Sequence, residues 1–391
     1  MLQARSRIHR SALLFLLIGP LVSAANARAA SEAILHNFTG GSDGGYVLRS
    51  LVFDGSGNLY GTAYFGGSYG AGTVFELSPG AGSWTQTILY NFTGGGDGAN
   101  PASPLIFDKS GNLYGTTDSG GANSKGTVFE LSPSPGGGWT ESVLYSFCSQ
   151  SSCADGSYPA SGLVMDSEGN LYGGTGNGVF ELSRSGNLWT ETVLYSAQTY
   201  FGVALDSAGN LYGAALGGYN GYVFELSPSK GGGWKESTIY SFKGGKDGSL
   251  PQGNVILDGS GNLYGTTGLG GAYDSGTAYR LAHKPYGWRE TVLHTFRNSK
   301  KDGATPNGEL VSDSEGNLYG TTLYGGANNA GTVFKLTSND SSYKESLLWS
   351  FSTSDGATPA SAVVLDKLGN LYGTTASGGS VGHGVAFEIT P

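Results

Sequence analysis

The 391 residues include 69 glycines and 12% aromatic side chains, with only 13% charged. Glycine costs about 1 kcal/mol at a helix position, so this composition excludes a helical protein and favours many short strands joined by tight turns. A formal charge of -9 repels phosphate backbones and argues against nucleic acid as a partner.

In chain order, residues 1–29 read as a signal peptide. Arg5, Arg7 and Arg10 form a basic start, Ala12 to Val22 is an apolar run, and Ala27-Arg28-Ala29 offers a small-residue cleavage site. The apolar run is too short to cross a bilayer, which takes about 20 residues. No later stretch approaches that length, so the reading is a secreted or periplasmic protein with no membrane span. Cleavage removes four arginines and no carboxylate, which takes the formal charge from -9 to -13.

The remainder, 30–391, is one repeat written seven times. Gly-Asn-Leu-Tyr-Gly begins at Gly57, Gly111, Gly169, Gly209, Gly261, Gly316 and Gly369, a mean period of 52 residues, and an aspartate stands three residues before each copy. The second copy shows four strand-like runs: Pro104 to Phe107, Asn112 to Thr116, Gly126 to Leu131 and Trp139 to Phe147. Each run is β-branched or aromatic and is bounded by Gly, Pro, Asn or Asp, which is the signature of a strand between turns. Four antiparallel strands per repeat of this length make one blade of a β-propeller.

The two ends of the chain complete each other. Ser31 to Phe38 matches the fourth strand of the repeat, and the last copy stops after its third strand, Gly384 to Ile389. The expected fold is therefore an all-β, seven-bladed β-propeller with the N-terminal strand closing the last blade, a single domain and a monomer. Closure of this kind removes the exposed sheet edge that invites aggregation. Because strands alternate in direction, the Asp-Gly-x-x-Pro loops and the Gly-Gly loops are predicted to share one rim.

Cys148 and Cys153 lie in one loop, and in an exported protein they predict a local disulfide. No histidine is near them in sequence to complete a metal site. The seven aspartates before the pentads suit turns, where a carboxylate accepts backbone N–H groups. Calcium is the alternative ion for such oxygens, but one or two carboxylates per turn fall short of its usual six to eight ligands. No cofactor is expected otherwise.

A site for one ligand must differ from its six neighbours. Aligned on the aspartate, the innermost strand reads Ser50, Pro104, Gly162, Gly202, Asn254, Glu309 and Ala362 four residues earlier, and polar residues recur in blades five and six at Gln252 and Asn307. Blade one alone carries Arg49 between these positions. Gln252, Asn254, Asn307, Glu309 and Arg49 are the candidate ligand-binding cluster at the channel mouth; drift in a water-filled channel is the competing explanation. Catalytic residues are not assignable: Gly-x-Ser-x-Gly and His-Glu-x-x-His are absent, and no metal-ligand motif occurs. His36 and His294 take a tyrosine position of the fourth strand and read as packing residues, while His383 lies in a rim loop. Tyr64, Phe65, Tyr69, Tyr219, Tyr273 and Tyr324, in the same set of loops, offer flat faces for stacking on sugars, the tyrosines with a polar tip; structural packing of the loops is the competing use for each of them.

Taken together, Gly-Asn-Leu-Tyr-Gly-Thr-Thr, Gly-Gly, Gly-Thr-Val-Phe-Glu-Leu, Trp-x-Glu-x-x-Leu-Tyr-x-Phe and Asp-Gly-x-x-Pro resemble the Gloeo/Verruco (GloVer) tandem repeat. That resemblance covers nearly all of 31–391 and implies an exported bacterial protein with no established activity. Members often carry C-terminal surface anchors; this chain departs in ending at Pro391 without one, which implies a soluble exported form. Blade four departs as well, lacking an Asp-Gly loop between Ser196 and Gly202. More distantly, Asp-x-x-Gly-Asn-Leu-Tyr is similar to turns in NHL-type propellers, gluconolactonase-like enzymes and streptogramin lyases, which place a metal and acid/base residues at the channel mouth. Here only Glu309 and Asn254 could serve, with His383 a distant third, so that activity is not carried over to this chain. The functional expectation is a non-enzymatic module binding a glycan, peptide or surface protein. A metal-dependent lactonase or lyase is the alternative, and a passive envelope component the third.

Overall fold

The computed structural model describes residues 30–186, 188–199, 201–339 and 342–391, so the expected signal peptide lies outside the described residues. Seven antiparallel sheets follow one another around a central channel, and the chain is a seven-bladed β-propeller. In blade one the strands are Val52–Phe53, Leu59–Ala63, Thr73–Pro79 and Trp84–Asn91, from the channel outward. The ring closes as expected: Ser31–Asn37 pairs antiparallel with Val385–Thr390, in register from Ser31 opposite Thr390 to Asn37 opposite Val385.

The innermost strands are shorter than their sequence suggests. In blades one, three and seven the innermost strand is only two residues long (Val52–Phe53, Val164–Met165, Val364–Leu365), whereas in blade five it runs for nine, Ser249–Leu257. Seven strands converging on one axis leave little room there, and the chain before each short pair instead lines the channel.

The core lies between blades. A phenylalanine ends six of the seven outermost strands and packs on an aromatic of the third strand in the next blade: Phe38 on Phe75 at 5.2 Å, Phe92 on Phe129 at 5.1 Å, Phe147 on Phe180 at 5.0 Å and Phe351 on Phe387 at 5.0 Å; blade three has Ala197 in this place, and Tyr195 packs on Phe224 instead. Edge-on aromatic pairs at this spacing add to the burial of large apolar surface. The closing glycine of each pentad makes this possible. A methyl group on Gly173 would sit 2.8 Å from the tip of Phe180, and one on Gly373 would sit 2.6 Å from Phe387. The tryptophans pack across blades too, Trp139 on Tyr60 and Trp234 on Tyr172.

Every outermost strand carries a bulge at one place, as between Val143 and Tyr145 or between Ile34 and His36. An extra residue there lets the leucine or isoleucine turn toward the core and returns the next side chain to the rim. That next residue reaches the Asp-Gly loop. Tyr90, Tyr145 and Tyr240 donate to Asp97, Asp155 and Asp247, Trp349 donates to Asp355, and His36 and His294 pair with Asp43 and Asp302. Blade four has no such aspartate, and the Tyr195 hydroxyl bonds instead to that of Tyr222 at 2.8 Å.

The pentad aspartates hold turns. Asp54 accepts the N–H groups of Ser56 and Asn58 at one oxygen, and the Asn58 amide and Tyr60 hydroxyl at the other. Asp206 and Asp258 repeat this set. Burial works to raise these carboxyl groups, but the hydrogen bonds outweigh it and hold Asp54, Asp206 and Asp258 below the usual range. With four donors on four lone-pair directions, the carboxylate is fully occupied within its own turn.

Candidate functional site

The rim is built by two sets of loops that bond to each other, as their strand directions require. The second glycine of five Gly-Gly pairs donates to the Asp-Gly loop, as from Gly67 to Gly41 O at 2.8 Å, Gly121 to Gly95 O at 2.9 Å and Gly379 to Thr353 O at 2.9 Å. The residue just before the loop proline, or at its place, is left-handed in six loops: Tyr46, Asn100, Tyr158, Leu250, Thr305 and Thr358. For a β-branched residue such as Thr305 that backbone is costly. The return is a bond between blades: Asn100 donates to Ala71 O at 2.7 Å, Thr305 to Ser275 O at 2.8 Å and Tyr46 to His383 O at 3.0 Å. His383 thus reaches the rim, beside Tyr46.

At the channel mouth, Arg49, Asn254, Asn307 and Glu309 line one cavity of about 50 Å³, together with small residues such as Gly162, Gly253 and Ser361. The Asn254 amide donates to Glu309 Oε2 at 3.0 Å and its oxygen accepts the Gly202 N–H at 2.6 Å, so Asn254 is used at both ends. Arg49 Nε donates to Ala102 O at 2.5 Å, and the Asn307 amide makes a long bond to Ala360 O at 3.5 Å. Burial pushes the Glu309 carboxyl up to about 7 against the opposing Asn254 bond. Burial also lowers the Arg49 guanidinium, while nearby Asp118 and Tyr64 support its charge.

Gln252 is not on this wall. Its strand loses register between Gln252 and Ile256, with Gly253 left-handed, and the Gln252 side chain lies over Gly268. A two-residue irregularity of this kind re-aims the side chains on either side of it, and a position count along a regular strand cannot foresee that.

The donor set suits a metal poorly. One carboxylate, an amide already engaged at both ends and a guanidinium on the same wall do not make the oxygen-rich, anionic cage that calcium needs. The volume is that of ordered water, well below the several hundred Å³ of a small-molecule pocket. Larger grooves of about 240 and 420 Å³ open on the opposite face between blades two and three and between six and seven, but they are lined by turn aspartates such as Asp166 and Asp313 that are already saturated.

The rim at blade one is different. Tyr46 and Phe65 lie 5.8 Å apart with ring planes 35° from parallel, and Tyr64 stands edge-on to Phe65 at 4.7 Å. Tyr46 is 42% exposed, Phe65 49% and Tyr69 65%. A short ladder between Gly45 and Phe65 holds the two loops together. The Tyr64 hydroxyl donates to Asp118 at 3.0 Å, and Asp118 faces Arg49, so the aromatic patch runs into the channel mouth. Of the other rim aromatics, Tyr273 has the Arg297 guanidinium over its ring at 4.9 Å yet stays half-exposed, as does Tyr324, and Tyr219 is fully exposed; none of these has a second aromatic ring beside it among the described residues. Tyr46 escaped the sequence reading because it sits in the Asp-Gly loop and not in the Gly-Gly loop; aligning the six Asp-Gly loops would have shown a tyrosine there in blades one and three.

Cys148 and Cys153 are joined in a disulfide, the covalent link of an oxidising, extracellular compartment. No helix among the described residues is long and apolar enough to cross a membrane.

No curated protein matches the chain. Among solved structures, it is similar to the extracellular domain of a protein described as a hybrid two component system from B. thetaiotaomicron, at 11% identity and a TM-score of 0.53, covering 88% of this chain and 38% of that one. A protein from Lactobacillus plantarum is similar at 14% identity and a TM-score of 0.50, over 77% of this chain and 83% of that one. A Xanthomonas campestris gluconolactonase is similar at 12% identity and a TM-score of 0.39, over 68% and 82%. At such identities a likeness speaks for the fold alone. The sequence relationship is more specific: the Gloeobacter/Verrucomicrobia repeat matches residues 25–199 and again 198–391, and the chain belongs to that family.

Proposed function

We propose that this protein is a non-enzymatic binding module, exported by the signal peptide at residues 1–29, that takes a carbohydrate on the rim of blade one. The observation that carries this reading is the Tyr46–Phe65 pair, two half-exposed rings on rigid, cross-bonded loops. Sugar faces are apolar and stack on such rings, while their edge hydroxyls need fixed polar groups. Asp118, Arg49 and the Tyr64 hydroxyl supply those at the inner side of the patch. Loops fixed on a rigid ring also present a ligand surface with little ordering cost.

Catalysis at the channel mouth would have to run through Glu309, and a cavity of about 50 Å³ does not admit a lactone ring. The test is a glycan array followed by calorimetry on the best-bound oligosaccharide. Tyr46→Ala with Phe65→Ala should weaken binding at least tenfold, while Glu309→Gln leaves it unchanged. Binding that survives the aromatic double substitution, or that is lost with Glu309→Gln alone, refutes the proposal.

A further inference from the structure

The junctions between blades repeat a second pattern, and one of them breaks it. Where the rim aspartate meets the outermost strand of the following blade, that strand contributes a glutamate beside it: Glu141 by Asp97, Glu191 by Asp155, Glu290 by Asp247, Glu32 by Asp355 and Glu345 by Asp302. Blade one has Gln86 in this place, and its amide is spent on Asp43 O at 2.8 Å.

In most junctions the aspartate is well supplied with donors from its own loop. Asp97 accepts the Tyr90 hydroxyl and both the N–H and hydroxyl of Thr93; Asp155 accepts Tyr145, Ser149 and Gln150; Asp43 accepts the N–H and hydroxyl of Thr39. At the junction of blades five and six, the segment from Phe296 to Asp302 is one residue longer than that from Phe92 to Asp97. The extra residue carries the capping N–H away. Among the described residues Asp302 accepts only the Gly303 N–H at 2.7 Å and His294 Nε2 at 3.2 Å, both at Oδ1, and Oδ2 accepts nothing. Its side chain is nonetheless only 8% exposed. Glu345 Oε1, facing it, is buried and has no hydrogen-bond partner, a feature it shares with the matching oxygens of Glu32, Glu141, Glu191 and Glu290; what sets this junction apart is the imidazole and the under-supplied aspartate beside it. One ligand atom each from His294, Asp302 and Glu345 lie within 4.8 Å of one another.

We propose that His294, Asp302 and Glu345 form a binding site for a divalent transition-metal cation, zinc in type, at the junction of blades five and six. An imidazole nitrogen with two carboxylate oxygens is a donor set such ions accept, and three protein ligands leave a fourth position for water. Tetrahedral bonds of about 2.1 Å place ligand atoms roughly 3.4 Å apart; the His294–Asp302 separation of 3.2 Å already meets this, and a small closure of Glu345 completes the triangle. The cation would neutralise two carboxylates that otherwise face each other in a partly buried place. The other junctions cannot do the same. A phenol or indole replaces the imidazole beside Asp97, Asp155, Asp247 and Asp355, and Gln86 replaces the glutamate beside the His36–Asp43 pair. Held across two outermost strands and the loop between them, the ion would brace the ring at one junction.

The test is calorimetric titration of the full chain, freed of metal by chelation, with zinc sulfate, together with melting curves in its presence and absence. The expected result is one site of micromolar affinity or tighter and a rise in Tm with zinc. His294→Tyr installs the residue of three other junctions, keeps the bond to the aspartate, and should weaken zinc binding at least tenfold; Glu345→Gln should do the same. His36→Tyr should leave binding as in the unaltered chain. Should His294→Tyr fail to fold, Glu345→Gln carries the comparison. Absence of zinc binding, or binding undiminished in Glu345→Gln, overturns the site.

Discussion

Replacing Phe38 by alanine tests the strand through which the ring closes, the one paired non-covalently with Val385–Thr390. Phe38 is fully buried and its ring lies 5.2 Å from Phe75, so it ties the strand that completes blade seven to the start of blade one. Truncating such a residue costs about 3–5 kcal/mol, part in lost burial and part in the cavity left behind. Unfolding entropy of roughly 2.1 cal/mol/K per residue over about 360 residues gives about 0.76 kcal/mol/K, so Tm should fall by roughly 4–7 °C. Phe92→Ala is the internal standard: it occupies the same place against Phe129, also fully buried, but follows an outermost strand that is covalently continuous with the rest of its own blade. Melting followed by near-ultraviolet circular dichroism should give matched losses for the two variants. If Phe38→Ala melts like the unaltered protein while Phe92→Ala is destabilised, the N-terminal strand is an appendage and the ring does not close through it.

The glutamates of the outermost strands make stability depend on pH. Burial first, then the neighbouring aspartate, pushes Glu141 and Glu191 up to about 7 from an unfolded value of 4.5. A carboxyl raised on folding favours the protonated chain, so stability is greatest below 4.5 for these groups and declines as pH rises from 4.5 to 7. The urea midpoint should therefore be lower at pH 8 than at pH 5.5, and Glu141→Gln should flatten that slope; an unaltered slope refutes the assignment. Gly173→Ala places a methyl group 2.8 Å from Phe180 and should cost about 1–3 kcal/mol by overpacking, read as a lower urea midpoint. A neutral outcome would mean that the Phe180 ring has room to retreat.

The elements of the blade were legible because each has a local cause. The pentad turn is written by Asp, Gly and Asn within five residues, and the structure shows Asp54 spending its oxygens inside that same turn. The strand run Thr-Val-Phe-Glu-Leu forms as read, Thr127–Pro133 for example. The short innermost strands and the displaced Gln252 were not legible, because convergence at an axis and a break in register are properties of the assembled ring.

The candidate sites divide in the same way. Glu309, Asn254, Asn307 and Arg49 could be named from their departures from the repeat, and they do line one cavity. Its size follows from how far seven strands stand apart, which no single repeat encodes. The Tyr46–Phe65 face and the His294–Asp302–Glu345 cluster were invisible for a related reason. The first joins two loops of blade one that pair beyond the end of its innermost strand, and the second joins residues of two adjacent blades. The sequence by itself determined the blade, the number of blades and the closing strand, since these rest on turns, periodicity and the match between two ends. Tertiary structure alone decided which side chains face each other across blades, because that depends on twist, bulges and loop length acting between repeats.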